Sequence, residues 1–125
     1  MSAPPFQSAR IVLAVVDLAS STDFYLNVLG FQRDFGDGSD GWSFLSRGAV
    51  RFMLGECRDE RPASELGNHS YIAHILMDDV DAYFAEIVAR GAVPYGPPQD
   101  KPWGIREFGL ATPDGHRMTF GSLLA

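Results

Sequence analysis

His74, Glu107 and His116 are the side chains of this 125-residue chain whose types and positions would allow a divalent-ion site. Imidazole nitrogens and carboxylate oxygens are the donors that borderline and hard ions take, and such an ion polarises substrate oxygens. All three fall on or beside apolar runs that read as strands. The plainer reading makes His74 a hydrogen-bonding residue, pairs Glu107 with a cation such as Arg106 or Arg10, and leaves His116 at the end of a turn. A working site also needs matched geometry and oriented outer partners, so the plainer reading is preferred. Cys57 is the lone thiol. With Arg58 as its only evident cation it is not read as a reactive nucleophile. No glycine-rich phosphate loop, Cys-x-x-Cys pair, nucleophile elbow or pair of histidines at helical spacing occurs.

The length suits one domain, 1–125, able to bury a core without disulfides. Hydrophobic residues make up 46% and charged residues 21%, a globular balance. A single cysteine cannot form an internal bridge, which points to a reducing compartment. The net charge of -6 comes from acids spread along the chain. It argues against a nucleic-acid surface, which needs clustered basic residues, and it is compatible with a cationic small molecule. The first ten residues contain Pro4 and Pro5 and no apolar segment behind a basic start. No apolar run approaches the ~18 residues of a membrane span. A cytoplasmic protein with neither nucleic-acid nor membrane partner is expected.

The elements that must position the chemistry repeat. Ile11 to Val16 reads as a buried strand ending at Asp17. A helix of about three turns follows, started by Asp17 or by Ser20 to Asp23, with Phe24, Tyr25, Val28 and Leu29 on one face and Gly30 as its stop. Phe31–Phe35, Trp42–Leu45 and Val50–Leu54 read as strands, separated by turn-rich 36–41 and 46–48. A polar stretch containing Pro62 reads as a linker over 57–69. Tyr71 to Met77 is then a strand, Val80, Tyr83, Phe84, Ile87 and Val88 trace a helix closed by Gly91, and strands follow at Ala92–Tyr95, Ile105–Ala111 and His116–Gly121. Residues 96–102 read as a loop, and Thr112 to Gly115 as a turn. Asp17 stands thirteen residues before Gly30, and Asp79 twelve before Gly91. Two β-α-β-β-β modules, about 8–56 and 70–123, point to an internal duplication.

Four stretches then carry a family resemblance. They are Asp17-Leu18 with Phe24-Tyr25-Leu26-Asn27-Val28-Leu29-Gly30-Phe31, Asp78-Asp79-Val80-Asp81-Ala82 with Arg90-Gly91, Pro102-Trp103-Gly104-Ile105-Arg106-Glu107-Phe108, and Pro113-Asp114-Gly115-His116. In this order they resemble the vicinal oxygen chelate superfamily, which holds glyoxalase I, extradiol dioxygenases and bleomycin-resistance proteins. Phe31-Gln32-Arg33-Asp34-Phe35 and the Trp103 block are most similar to the bleomycin-resistance branch. The resemblance implies an α+β fold in which the two modules form a curved mixed-sheet cup, and a homodimer with two grooves at the junction of its chains.

It also implies where a metal would sit. The superfamily's enzymes hold one divalent ion with His, Gln or Glu at positions that count to Arg10, Ile72 and Thr119 here. A cation, an aliphatic side chain and a lone hydroxyl do not replace that set, so no metal and no other cofactor is expected. His74, two residues from Ile72 and so expected on the same strand face, would with Glu107 and His116 make a displaced site. Without a metal, the groove is left to Phe35, Trp42, Trp103 and Ile105, together with Glu107 and His74. Large rings offer flat contact area to planar ligands, and Asp34, Asp37 and Asp40 could draw a cationic tail. The expected function is non-enzymatic binding of a planar ligand, cationic ones such as a bleomycin-like antibiotic included. The alternative is a divalent-metal-dependent lyase or dioxygenase with displaced ligands.

Overall fold

The computed structural model describes residues 3–66 and 71–125, so the last part of the expected linker, 67–69, and the start of the second module at 70 lie outside the described residues. The first half runs β1 (Ile11–Val15), α1 (Leu18–Asp23), β2 (Gln32–Phe35), β3 (Trp42–Arg47) and β4 (Val50–Glu56). The second runs β5 (Tyr71–Leu76), α2 (Val80–Ala89), β6 (Gln99–Asp100), β7 (Ile105–Ala111) and β8 (Arg117–Leu123). Each half is a four-stranded sheet, ordered β1-β4-β3-β2 and β5-β8-β7-β6. Its first and last strands lie side by side and parallel, and its other pairs are antiparallel. The fold is α+β with two repeated β-α-β-β-β units.

Both helices start where the acids stand. Asp17 is extended and accepts from the N–H groups of Ala19 and Ser20, so it, and not Ser20, caps α1. Asp79 accepts from Ala82 at 3.0 Å. These bonds satisfy amide donors that a helix start leaves orphaned. The first helix does not keep one geometry over three turns: beyond Asp23 it widens into a π-helical turn, Phe24–Val28. Gly30 then takes a positive φ of 78°, a conformation that favours glycine.

The strand expected at Ala92–Tyr95 is not formed. The fourth strand of the second sheet is instead the two-residue β6, inside the expected loop. Pro94, Pro97 and Pro98 remove three amide donors from this stretch, and Gln99 is the first residue past them. Tyr95 still donates its N–H to the Gly109 carbonyl at 2.9 Å, which fastens it beside β7. Ala63–Glu65 forms a short 3₁₀ turn with Ala63 buried.

Each helix packs on its own sheet, α1 on β3 and β4, α2 on β7 and β8. Alternation along the strands therefore gives each sheet a core face and an open face. Leu13, Leu45, Phe52 and Leu54 of the first sheet and Phe108, Leu110, Met118 and Phe120 of the second join Tyr25, Leu29, Val80, Tyr83 and Ile87 in one continuous core. The open faces correspond rung by rung. Val12, Met53 and Phe44 occupy the rung that His74, Thr119 and Gly109 occupy in the second sheet. Ala14, Gly55 and Trp42 correspond in the same way to Leu76, Gly121 and Glu107. The first open face is thus largely apolar, and its counterpart carries the polar groups.

The halves are also tied by polar contacts. Asp114, in the β7–β8 turn and 7% exposed, accepts from the Val16 N–H at 2.8 Å and the Ser21 hydroxyl at 2.5 Å. Tyr83 donates its hydroxyl to the Leu29 carbonyl at 2.8 Å, and burial pushes its phenol above the ordinary range. Arg47 grips Glu86 with two hydrogen bonds, 2.6 and 3.1 Å. That contact, more than the burial opposing it, holds the Glu86 carboxyl below its usual value.

Candidate functional site

The expected ligand residues separate into two groups on the two open faces. Phe35 and Trp42 belong to the first sheet. Phe35 stacks on Phe44 with centroids 4.4 Å apart, and the Arg10 guanidinium lies 5.4 Å from the Phe35 ring. Trp42 stands opposite Gly55, and its indole occupies the space a Cβ there would fill. Both rings remain exposed, at 57% and 37%.

His74, Trp103, Ile105 and Glu107 gather on the second sheet. Trp103, 63% exposed, donates its indole N–H to Glu107 Oε1 at 2.6 Å. The two are four residues apart but not helical: Gly104, at φ 85°, turns the chain into β7 between them. Ile105 lies against Gly121, which leaves room for its methyl group. His74 Nδ1 shares a hydrogen bond with Thr119 Oγ1 and comes within 3.9 Å of Glu107 Oε2. Trp103, Glu107 and Thr119 border a cleft of about 360 Å³ that Tyr71, Tyr95 and Lys101 also line. The sequence reading missed the last three. Tyr95 is carried there by its backbone bond to Gly109, a contact no local pattern announces.

Two expectations about this face fail. Ile72 and His74 do not share it: the β5–β8 pairing slips between Tyr71 and Ala73, so Ile72 packs on the core while His74 lies opposite Thr119. Glu107 pairs with neither Arg106 nor Arg10. Arg106 is held by Asp81 at 2.9 Å and Asp100 at 3.1 Å, and Arg10 by Asp34 at 2.9 Å and the Phe52 carbonyl at 3.0 Å.

The displaced metal set is also broken up. His116 shares strand parity with Met118 and Phe120, the core side, and is 8% exposed beside Asp114. His74 Nδ1 and Glu107 Oε1 are engaged by Thr119 and Trp103. Among the described residues no group of three His, Cys, Asp or Glu comes together to hold an ion. At the counted family positions, Arg10 is a paired cation, Ile72 is core and Thr119 is bonded to His74. The residues present do not fit the family's metal.

Of the acids near Phe35, Asp34 is already paired. Asp34 accepts from Ser46 at 2.6 Å as well as from Arg10, and the Ser46 bond leads in holding its carboxyl below the usual range. Asp37 and Asp40 accept the N–H groups of Ser39 and Trp42 within their own turn. Two further pockets, of about 510 and 670 Å³, lie off the open faces. The first is bounded by core rings and the closed Arg47–Glu86 pair, and the second by the 37–41 turn.

His116 has a consequence for stability. Burial, opposed by the charge of Asp114, lowers its pKa below the ordinary 6.5. The unfolded chain therefore takes up the proton first, and stability falls as pH drops from 6.5 toward the folded value. Melting temperatures measured from pH 7.5 to 5.5 are expected to decline for the native protein and to flatten in His116→Gln. Equal slopes would refute this account.

No curated protein sequence matches the chain. No helix among the described residues is long and apolar enough to cross a membrane. The structure is similar to TioX from Micromonospora sp. ML1, with 28% identity over 95% of this chain and 100% of that one and a TM-score of 0.73. It is similar to the bleomycin-binding protein of bleomycin-producing Streptomyces verticillus, crystallised with copper(II)-bleomycin, with 26% identity over 96% and 98% and a TM-score of 0.74. A superfamily protein from Alicyclobacillus acidocaldarius shares the fold at 17% identity over 95% and 92%, with a TM-score of 0.78. The family model for the Glyoxalase/Bleomycin resistance protein/Dioxygenase superfamily matches residues 7–120, and the chain belongs to that superfamily.

Proposed function

We propose that this is a non-enzymatic binding protein of the cytoplasm that holds a planar small molecule where the open sheet faces of two copies meet, with Phe35, Trp42, His74, Trp103, Ile105 and Glu107 as its ligand-binding residues. The observation that carries the reading is the pairing of exposed rings with unsuitable metal positions. Phe35, Trp42 and Trp103 are left in water on open faces, where stacking on a flat ligand is worth on the order of 1 kcal/mol per ring pair beyond burial. Val12 and Tyr71, 59% and 55% exposed on the same faces, are apolar area that a second copy would cover. The similarity to a bleomycin-binding protein supports a ligand of the bleomycin class.

A divalent-metal-dependent lyase or dioxygenase is favoured only by the 3.9 Å approach of His74 to Glu107, and it remains a donor short. Two measurements test the choice. Titration with bleomycin is expected to quench tryptophan fluorescence and raise the melting temperature; at a hundred times Kd the stabilisation is about 2.7 kcal/mol. Incubation with Zn, Ni, Mn and Fe salts, then removal of excess, is expected to leave no stoichiometric metal. One ion per chain without a bleomycin response would favour the metal-dependent reading instead.

A further inference from the structure

Glu107 is a buried carboxylate that no lysine or arginine pairs. It is 9% exposed, and among the described residues no lysine or arginine lies within ion-pair distance of it. Its neighbour Arg106 is committed to Asp81 and Asp100. One of its oxygens accepts the Trp103 indole. The other faces His74 at 3.9 Å, longer than a hydrogen bond. Buried charges are normally paired, so this one calls for a partner. It lines an open cleft, and at that cleft stand the rings of Tyr95 and Trp103, both 63% exposed. The Tyr71 ring already carries the Arg117 guanidinium at 5.4 Å, which shows the same face accepting a cation on an aromatic surface.

We infer that this cleft binds an organic ammonium group, seated against Tyr95 and Trp103 with Glu107 as its counter-charge. The inference rests on the reading of the second open face as ligand-binding, and adds to it the chemical class of the group that docks there. A soft, weakly hydrated ammonium suits ring faces, and a carboxylate already desolvated by the fold loses little more on meeting it. Lys101 also lines the cleft. It opposes a second positive charge, so the ligand carries one cation on an apolar or anionic body. The chain's net charge of -6 favours the approach of such a molecule.

The test uses three probes of one size: benzyltrimethylammonium, benzyl alcohol and benzoate. Each is titrated into the full chain while tryptophan fluorescence is followed. Benzyltrimethylammonium is expected to bind saturably and more tightly than the other two. Glu107→Gln, which keeps the shape and removes the charge, is expected to weaken it about tenfold or more. Tyr95→Leu is expected to weaken it severalfold, and Lys101→Gln to tighten it. Circular dichroism checks folding. If Glu107→Gln fails to fold, Tyr95→Leu still decides, because an exposed ring can be removed without touching the core. If benzyl alcohol or benzoate binds as tightly as the ammonium, or the ammonium binds Glu107→Gln or Tyr95→Leu as well as the native protein, the ammonium assignment is overturned and the face remains a ligand face. If no probe binds, the reading of the face falls with it.

Discussion

Phe120→Ala is expected to lower the unfolding free energy by about 3–5 kcal/mol, the largest loss among single side chains considered. The ring is 1% exposed and meets Tyr83 at 5.1 Å and Phe108 at 5.2 Å between centroids. It lies on β8, which bonds to both β5 and β7, so the packing it anchors holds three strands. Truncation loses the transfer energy of the ring and leaves a void beside these two aromatics. The neighbours cannot close that void easily, because Tyr83 is tethered by its hydroxyl to Leu29. Urea unfolding at equilibrium measures the loss, and the melting temperature should fall on the order of 10 °C or more. A change below about 1 kcal/mol, the level of a surface substitution, would show that the ring does not hold the core.

Asp114→Ala is expected to cost about 2–4 kcal/mol, for a different reason. Its two oxygens receive the Val16 N–H and the Ser21 hydroxyl, and its backbone carbonyl receives the Ser64 N–H at 2.9 Å. Alanine keeps the last of these and orphans the first two. A buried donor left without its acceptor costs about 1–3 kcal/mol, more when the lost bond was charge-assisted. Asp114→Asn keeps an acceptor and should recover part of the loss. Chemical denaturation of both variants checks the order. Equal stability of Asp114→Ala and the native protein would mean that water serves Val16 and Ser21 as well as the carboxylate does. The β7–β8 turn tolerates little else, since a Cβ at Gly115 would stand 2.5 Å from the Ser64 nitrogen.

The repeat was legible because its signals are local. Ile105–Ala111 alternates and forms over the expected residues. Asp17 and Asp79 mark helix starts because a short carboxylate reaches the first free amides. What was hidden depends on contacts between distant residues. The slip between Tyr71 and Ala73 arises from pairing with β8, so counting by twos along β5 put Ile72 and His74 on one face. The widening of α1 at Phe24 has no local breaker to announce it. Three prolines did announce trouble at 94–98, yet the apolar run at Ala92–Tyr95 outweighed them in a reading by composition. At the candidate site, Trp103 and Glu107 could be named singly, but their bond depends on the turn at Gly104. The engagement of Arg10 and Arg106 by other acids, which leaves Glu107 unpaired by lysine or arginine, is a property of the folded chain alone.

The rung-by-rung correspondence of the open faces has an evolutionary consequence. A chain assembled from two copies of one unit would start with the same residue at each matching rung, and any substitution in an undivided gene would alter both. Once duplicated, the two coding segments drift separately. Trp42 on one sheet answers Glu107 on the other, and Val12 and Met53 answer His74 and Thr119, while glycine survives at the matching positions 55 and 121. On such an origin the shared architecture is inherited twice, and selection can retune the chemistry of one wall while leaving its twin untouched.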